Sequence, residues 1–249
     1  MFFKKWKDIP NEIKNEYTYT YYKKLEKKKF SLILKRFFDI LASMILLIIL
    51  SPILLILAIC IKLDSKGPVF YRQERITMHN KMFKIFKFRT MIENADKTGS
   101  LVTLQNDSRI TRIGKIIRKI RLDEIPQLFN VLKGDMSFVG TRPEVKKYVD
   151  KYNDEMKATL LMPAGITSIA SIKFKDEDKI LKKCLNKKKQ LVMVGKSNQL
   201  ENEYNNIDDA YIEEVLPKKM KYNLEYIENF SVLNDITICL NTVQGVLKH

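Results

Sequence analysis

The sequence contains one uninterrupted apolar run, from Ile40 to Ile61, in which no residue carries a charge. A helix of about 20 such residues matches the thickness of the hydrocarbon core of a bilayer. A cleaved signal peptide fits less well, because the run begins late in the chain and has no small-residue cleavage site at its end. The run therefore predicts a membrane segment, with which the rest of the fold has to be compatible.

Ser51 and Pro52 lie near the middle of this run. Pro52 cannot donate the helical hydrogen bond to the carbonyl of Ile48, so we expect a bend there, with the Ser51 hydroxyl available to the freed carbonyl. Basic residues flank the run on both sides, namely Lys35, Arg36, Lys62, Lys66, Arg72 and Arg75. A straight span would leave one basic flank outside the cell, against the positive-inside tendency. A re-entrant helix that dips in and returns keeps both flanks in the cytoplasm, and an ordinary kinked span is the alternative.

The chain before this segment is basic and rich in aromatic side chains, as in YTYTYYKKLEKKKF. Tyrosines among lysines suit a membrane interface, and a solvated basic tail explains the composition equally well. We therefore predict a basic extension over residues 1–34, a re-entrant membrane helix over 35–66 and a cytoplasmic domain with C-terminal helices over 67–249.

The formal net charge of the 249 residues is +16, which indicates an anionic partner. Nucleic acid, an anionic membrane surface and a phosphorylated substrate all fit this charge, and composition does not choose among them. The three cysteines, Cys60, Cys184 and Cys239, are far apart and form no CxxC or Cys/His cluster. Neither a disulfide framework nor a zinc site is indicated.

The remaining chain predicts an α+β fold that is mostly helical, a small domain packed on the membrane surface. VFYRQERI and MFKIFKFRTM read as strands, and in the second Phe83, Ile85 and Phe88 alternate with projecting Lys84, Lys87 and Arg89. Ile110–Ile120 has the spacing of an amphipathic helix with one basic face, which suits a core or a membrane surface.

Helices are also predicted for the later part of the chain. Glu144–Leu161 looks helical, and PAGIT at 163–167 reads as a turn that ends it. Asp208–Tyr226 and Ser231–Leu247 look like two closing helices with a break near Asn229. The last helix has an apolar face that consists of Leu233, Ile236, Leu240, Val243 and either Val246 or Leu247.

The stretch RKIRLDEIPQLFNVLKGDMSFVGTRP, residues 118–143, places the adjacent carboxylates Asp123 and Glu124 among arginines. A carboxylate can attack phosphorus while Arg118, Arg121 and Arg142 neutralise the phosphate oxygens. Taken alone, the pair also suits a helix start, with Asp123 as an N-cap shortly before Pro126. The local sequence leaves both interpretations open.

Several motifs in one order make the chain resemble the bacterial sugar transferases, monotopic polyprenyl-phosphate phosphoglycosyl transferases. The resemblance covers at least Lys35–Thr167 and rests on KRFFD, the Ser51-Pro52 pair, GPVFYRQER, FKIFKFRTM, the D-x-R-x-T-x-x-G pattern of Asp107–Gly114, and RLDEIPQLFNVLKGDMSFVGTRP. Each motif would be weak alone, whereas their shared order makes chance agreement a poor explanation.

The resemblance implies a phosphotransferase that moves a phosphosugar from a nucleotide diphosphate sugar, expected to be a UDP-sugar, to undecaprenyl phosphate, with release of UMP. Asp123 would be the nucleophile that forms an aspartyl-phosphosugar. Glu124 would be its partner and a ligand of Mg²⁺, with Asp123 as a further candidate ligand. Arg89, Arg118 and Arg142 match positions that bind substrate phosphates, and Ser51 and Pro52 would break the membrane helix.

The same resemblance implies a place in the bacterial inner membrane, with the catalytic domain facing the cytoplasm, at the first membrane step of capsule, O-antigen, exopolysaccharide or glycoconjugate synthesis. A homo-oligomer is compatible with it. The chain departs from the family at Thr141, where Pro is usual, and after Thr167, where AGITSIASIKFKDE lacks a Gln/Asn/Arg set that Glu177 would replace in part. The alternative is a degenerate or non-enzymatic membrane-tethered scaffold that binds anions. No nucleic-acid-binding signature is present, so nucleic acid is not an expected partner.

Overall fold

The computed structural model describes residues 3–95, 107–174, 180, 181, 183 and 207–247. The helices in these ranges are α1 Glu16–Glu26, α2 Lys29–Asp64, α3 Arg112–Lys119, α4 Gln127–Lys133, α5 Lys146–Val149, α6 Ile169–Lys173, α7 Ile207–Ala210, α8 Leu216–Glu228 and α9 Val232–Leu247. The strands are β1 Phe70–Thr77, β2 Lys81–Phe88, β3 Met136–Val139 and β4 Ala164–Thr167. The predicted α+β class, mostly helical, is confirmed.

β1 and β2 form an antiparallel hairpin that runs from the pair Phe70 and Phe88 to the pair Thr77 and Lys81. The loop between the two strands contains His79 and Asn80, which both have positive φ. This conformation is common in tight β-hairpin turns. The predicted inner residues of β2, which are Phe83, Ile85 and Phe88, are all buried. Two of them, Phe83 and Ile85, pack with Val131 of α4 and Met136 of β3, which fixes the hairpin against the helix that follows the carboxylate pair.

β3 and β4 pair in parallel, so the prediction of a turn at PAGIT is wrong. A parallel strand is buried on both faces and shows no polar alternation, and local sequence therefore gives little sign of it. The two strands meet closely just beyond β3, where a Cβ on Gly140 would lie 2.2 Å from the Pro163 carbonyl oxygen. Only glycine allows this approach without a shift of the backbone.

The single helix predicted over Glu144–Leu161 is also wrong. The structure has the short α5 and then a 3-10 helix over Met156–Leu161. Asn153 separates them, because its side-chain oxygen accepts a hydrogen bond of 2.9 Å from the Met156 amide and so starts a new turn.

α2 is a continuous helix of 36 residues that contains Pro52. Its first part buries one face through Leu32, Lys35, Asp39 and Ser43. In contrast, no residue between Met44 and Cys60 in the described chain is buried. The Ser51 hydroxyl donates to the Ile48 carbonyl oxygen at 2.8 Å, which is the carbonyl that Pro52 cannot serve. Of the helices in the described ranges, this one is long and apolar enough to cross a membrane.

The start of α2 is held by polar contacts to the globular body. Arg36 NH1 donates to the Val131 carbonyl oxygen at 2.6 Å. Asp39 Oδ1 accepts from the Ser137 hydroxyl and from the Phe138 amide, each at 3.0 Å. These contacts fix the helix against α4 and β3.

The end of α2 is held by the same body. Asp64 Oδ2 accepts a hydrogen bond of 3.0 Å from the Ile113 amide in the first turn of α3. Ile61 packs in a cluster with Phe88 of β2 and Ile117 of α3. Both ends of the apolar helix therefore contact one globular unit, while its middle projects from that unit.

The residues before α2 are part of the fold. Asn15 caps α1 by accepting from the Thr18 amide at 2.8 Å, and Tyr21, Tyr22 and Leu25 of α1 are buried in the largest apolar cluster. A solvated tail is therefore the wrong interpretation for the described part of the extension. α2 begins at Lys29, so the predicted boundary between residues 34 and 35 falls inside this helix.

The two closing helices and the break near Asn229 are confirmed, with a π-helical turn over Tyr211–Val215 between α7 and α8. α9 turns Asp235 and Ile238 inward. The apolar face predicted for this helix lies on the surface, with Leu233, Ile236, Leu240 and Val243 all exposed.

Candidate active site

The carboxylate pair sits in a tight turn between two helices. Thr111 caps α3 by accepting from the Gly114 amide at 3.0 Å, and α3 carries Arg118 in its last turn. Arg121 then adopts a left-handed conformation with φ of 58° and turns the chain into a 3-10 helix over Leu122–Glu124. Such a conformation is strained for a residue other than glycine and is common at functional sites.

The alternative role of Asp123 as an N-cap is wrong in this structure. Asp123 lies inside the 3-10 helix, and α4 begins only at Gln127, with Pro126 in the capping position. The C-terminal end of α4 follows the prediction, because Gly134 has a φ of 93° and its amide donates to the Asn130 carbonyl oxygen. Helix capping therefore does not explain why Asp123 and Glu124 occur at this position.

Asp123 lines a cavity of about 410 Å³ between the β1–β2 hairpin, the segment after β2 and the end of α3. The other acidic residue in the lining is Glu93. The basic residues of the lining are Arg72, Arg75, Lys87, Arg89, Arg109 and Arg118. A concave surface with this excess of positive charge suits a ligand that carries several negative charges.

Lys87 joins the hairpin to the carboxylate pair, since its Nζ lies 2.8 Å from Glu124 Oε1. Burial alone would raise the pKa of Glu124, but the charges of Lys87, Arg121 and Arg142 outweigh it and lower the pKa to about 2. Glu124 is therefore a permanent anion at neutral pH. The sequence placed Lys87 on the charged face of a strand but gave no sign of this partner.

Asp123 behaves in the opposite way. Burial, and then the charge of the neighbouring Glu124, raise its pKa above the usual value, while Lys87, Arg118 and Arg121 oppose the rise. Two adjacent carboxyl groups with pKa values pushed apart are typical of sites in which each has a separate task. The geometry thus separates a reactive candidate that faces the cavity from a charged partner that is held by lysine.

The structure brings two of the three predicted phosphate-binding arginines close to the pair. Arg118 lines the cavity beside Asp123 and is half-buried. Arg142 is outside the cavity lining, but it is near enough to help lower the pKa of Glu124. Its NH1 donates to the Ser171 hydroxyl at 3.1 Å, which ties the arginine to α6.

Arg89 is placed differently from the projecting side chain that strand alternation predicts. It is 5% exposed, and its guanidinium donates to the Lys66 carbonyl oxygen at 2.7 Å and to the Ser65 carbonyl oxygen at 2.6 Å. These carbonyls lie at the C-terminal end of α2, where a cation is favourable. Arg89 also borders the cavity, and its role in binding phosphate stays a prediction.

A series of hydrogen bonds connects buried polar groups of the C-terminal part to β1, which lines the cavity. Lys219 Nζ donates to the Tyr211 hydroxyl at 3.0 Å, and this hydroxyl donates to Glu144 Oε1 at 2.8 Å. The Glu144 carbonyl oxygen accepts from the Ile76 amide at 2.9 Å, and Arg75 NH1 donates to the Pro143 carbonyl oxygen at 3.2 Å. The C-terminal helices thereby hold the turn that follows Arg142 against β1.

Arg109 holds a further part of the cavity. Its guanidinium pairs with Asp107 at 2.6 Å, and its NH1 donates to the Ala95 carbonyl oxygen at 2.7 Å. The hydrogen bonds from Arg109 lower the pKa of Asp107 to about 2. Within this motif, the Asp107–Arg109 ion pair and the hydrogen bond to Ala95 hold the segment after β2. Glu177, the predicted replacement for missing family residues, lies outside the described residues.

A basic cavity lined by Asp123, beside the end of an exposed apolar helix, has the charge that suits a phosphate-containing ligand. The chain belongs to the bacterial sugar transferase family, because the model of that family matches residues 30–249.

The chain is similar to named phosphotransferases from several bacteria. It is 35% identical over 217 residues to the UDP-N-acetylgalactosamine-undecaprenyl-phosphate N-acetylgalactosaminephosphotransferase of Aeromonas hydrophila, covering 86% of this chain and 44% of that protein. It is 35% identical over 218 residues to the UDP-glucose:undecaprenyl-phosphate glucose-1-phosphate transferase of Klebsiella pneumoniae, covering 86% and 40%. It is 31% identical over 236 residues to the undecaprenyl-phosphate galactose phosphotransferase of Salmonella typhimurium, covering 89% and 42%. The chain spans less than half the length of these relatives.

Proposed function

We propose that this protein transfers a sugar 1-phosphate from a UDP-sugar to undecaprenyl phosphate and releases UMP, at the first membrane step of a bacterial polysaccharide or glycoconjugate. The observation that carries the proposal is the position of Asp123 in the wall of a strongly basic cavity next to the end of α2. The names of the similar phosphotransferases support the choice of substrates.

The proposed first step is attack by an Asp123 carboxylate oxygen on the phosphorus that bears the sugar. An oxygen–phosphorus bond forms as the bond from that phosphorus to the bridging oxygen breaks, and the electron pair leaves with UMP. In this proposal Arg118, which lines the cavity with Asp123, would neutralise phosphate oxygens, and this neutralisation is the main requirement for attack by one anion on another. Glu124 remains ionised and keeps Lys87 beside the nucleophile.

The proposed second step regenerates the carboxylate. A phosphate oxygen of undecaprenyl phosphate attacks the same phosphorus, the bond to Asp123 breaks, and the product is a lipid-linked diphosphosugar. The cavity is suitably placed for a lipid acceptor, because Phe88 and Arg89 both line it and both contact the end of α2. The phosphate of a membrane lipid would then lie at the level of the cavity while its chain stays in the bilayer.

Asp123 and Glu124 fit a Mg²⁺ ion in chemistry, since Mg²⁺ commonly takes one or two carboxylates and completes its shell with substrate phosphates and water. In the described ranges no group of three or more His, Cys, Asp or Glu side chains could hold a metal, and the pair Asp123 and Glu124 is the candidate there. When bound, the ion would offset the charge of the diphosphate. The low pKa of Glu124 keeps that ligand deprotonated.

We further propose that α2 is re-entrant in the bacterial inner membrane and that the catalytic domain faces the cytoplasm. Asp39 contacts β3 and Asp64 contacts α3, so both flanks of the apolar run belong to one globular unit. A helix that crossed the bilayer would carry its two flanks to opposite sides, about 30 Å apart. The basic flanks favour the cytoplasmic side.

The direct test measures UMP release from a set of UDP-sugars with undecaprenyl phosphate and Mg²⁺, for the wild type and for Asp123→Asn. We expect release with the wild type and none with the variant. Asp150→Asn is a matched control, because Asp150 is exposed and pairs only with Lys146 among the ion pairs of the described chain. Full activity of Asp123→Asn would remove Asp123 as the nucleophile. No turnover by the wild type on any UDP-sugar would overturn the proposed function.

A further inference from the structure

Arg142 is held at its backbone and at its side chain by elements that come later in the sequence. Its NH1 donates to the Ser171 hydroxyl of α6 at 3.1 Å, and its amide donates to Asn223 Oδ1 of α8 at 3.4 Å. The guanidinium is also one of the charges that lower the pKa of Glu124. The position of this cation beside the carboxylate pair therefore depends in part on α6 and α8.

The chemistry of the side chains fixes the direction of the hydrogen bonds at Ser171. A guanidinium has only donors, so the Ser171 hydroxyl oxygen accepts from Arg142. The hydroxyl proton of Ser171 is then available to Ser168 Oγ, which lies 2.9 Å from Ser171 Oγ. Hydrogen bonds therefore connect Arg142 through Ser171 to Ser168, the N-cap of α6.

The Ser171 hydroxyl is not needed to cap α6. The cap is the hydrogen bond of 3.0 Å that Ser168 Oγ accepts from the Ser171 amide, and any residue other than proline supplies that amide. The hydroxyl itself bonds to Arg142 and Ser168 within the described residues. Its loss therefore removes support from the arginine and leaves the helix cap in place.

α6 is a firm support because it is fixed to two other helices. Lys173 Nζ lies 3.0 Å from Glu225 Oε1 of α8. The Thr167 hydroxyl, at the end of β4 just before α6, lies 2.6 Å from the Thr242 hydroxyl of α9. An acceptor on such a helix restricts the rotamers of the Arg142 side chain before a ligand binds, and this preorganisation favours binding.

We propose that Ser171 is a positioning residue, which holds the Arg142 guanidinium in the orientation that binds a phosphate of the UDP-sugar. Ser171 acts through Arg142 and does not itself contact the substrate. The inference rests on the proposed function, because that function supplies the phosphate. Undecaprenyl phosphate offers the same phosphate chemistry, and the test distinguishes the two sources.

The test compares the full-length wild type with Ser171→Ala and with Ser171→Thr, which keeps the hydroxyl. Ser231→Ala is the matched control, since Ser231 Oγ accepts from the Asn234 amide at 3.1 Å and the variant loses this hydrogen bond at the start of α9. The values of kcat and KM for UMP release are measured with varied UDP-sugar and then with varied undecaprenyl phosphate. Thermal melting verifies that each variant is folded.

We expect Ser171→Ala to raise the KM for the UDP-sugar about fivefold, which corresponds to the net contribution of one hydrogen bond, with little change in kcat. Ser171→Thr and Ser231→Ala should match the wild type. A raised KM for undecaprenyl phosphate instead would keep the positioning role and assign Arg142 to the lipid phosphate. Unchanged KM values for both substrates in Ser171→Ala, or the same rise in Ser231→Ala, would overturn the inference.

A double-mutant cycle separates action through Arg142 from a general structural effect. UDP is the probe, because it carries the diphosphate and no sugar to transfer, and calorimetry gives its Kd for Ser171→Ala, Arg142→Met and the double variant. We expect Ser171→Ala to weaken UDP binding in the wild-type background and to have no further effect in the Arg142→Met background. Equal weakening in both backgrounds would overturn the inference.

The cycle also separates this inference from the proposed function, because UDP binding needs no turnover. A wild type that releases no UMP would overturn the proposed function, and the cycle alone would then decide the role of Ser171.

Discussion

Lys87 Nζ lies 2.8 Å from Glu124 Oε1, so one ion pair connects the β1–β2 hairpin to the carboxylate pair. The charge of Lys87 lowers the pKa of Glu124 and also opposes the rise in the pKa of Asp123. Lys87, which is distant in sequence, therefore acts on the pKa of both carboxyl groups, together with nearby arginines.

The Lys87→Met variant tests this dependence. Asp123 has to be ionised to attack phosphorus, and its pKa is already raised by burial. Removal of a nearby cation raises that pKa further, so less of the reactive carboxylate is present at a given acidic pH. We expect the acid limb of kcat/KM for UMP release to move to higher pH.

Lys84→Met is the control for this experiment. Lys84 is exposed on the same strand, and its Nζ lies 3.9 Å from Glu74 Oε1 rather than beside the carboxylate pair. Its acid limb should match that of the wild type. An unchanged acid limb in Lys87→Met would contradict the electrostatic role given to Lys87.

Arg89→Met separates a structural role from a binding role. The Arg89 guanidinium donates hydrogen bonds to the carbonyl oxygens of Lys66 and Ser65 at the end of α2. Because the variant leaves these acceptors without their donor, we expect it to lower the free energy of unfolding by about 2 kcal/mol. Arg72→Met is the comparison, since Arg72 lines the same cavity but is exposed and should cost less than about 0.5 kcal/mol. Denaturant unfolding in lipid nanodiscs measures both. Wild-type stability together with lost UDP-sugar binding would assign Arg89 to phosphate binding alone.

Lys219→Met should destabilise the protein far more than the same change one residue earlier. Lys219 is 2% exposed and hydrogen-bonds the Tyr211 hydroxyl, whereas Lys218 is exposed and pairs with Glu214. Loss of a buried charged group from a hydrogen-bonded set costs about 3 kcal/mol, against about 0.5 kcal/mol for a surface pair. Thermal or denaturant unfolding gives the difference, and equal stability of the two variants would refute the importance of the buried chain.

Accessibility labelling tests the membrane geometry. Single cysteines at Lys14 and Lys66, in a background in which Cys60, Cys184 and Cys239 are replaced by serine, should react with an impermeant maleimide in inside-out vesicles and not in intact spheroplasts. A cysteine at Ile49 should be protected in both. Labelling of positions 14 and 66 from opposite sides would replace the re-entrant helix by a span.

Local pattern predicted those features whose cause is local. The apolar run, the hydroxyl of Ser51 beside Pro52, the alternation of Phe83, Ile85 and Phe88 and the glycine cap at Gly134 each depend on neighbours in sequence. The structure agrees with all of them. The same is true of the carboxylate pair, whose position among arginines was visible in one short stretch.

Long-range packing decided the features that were missed. Arg89 was expected to project, but α2 ends beside it and supplies carbonyl acceptors, so the side chain is buried. Lys87 meets a partner 37 residues away, and β4 pairs with a strand that precedes it by more than twenty residues. Periodicity found the apolar face of α9, yet it cannot distinguish a face that packs on a core from one that meets another surface.

The packing of α1 has a practical consequence for producing the protein. Tyr21, Tyr22 and Leu25 of α1 are buried in the main core. A shortened version that begins at Lys29 keeps every residue of the carboxylate site but uncovers that core. Such a version should be prone to aggregation during purification, and loss of its activity would say nothing about the chemistry of the site.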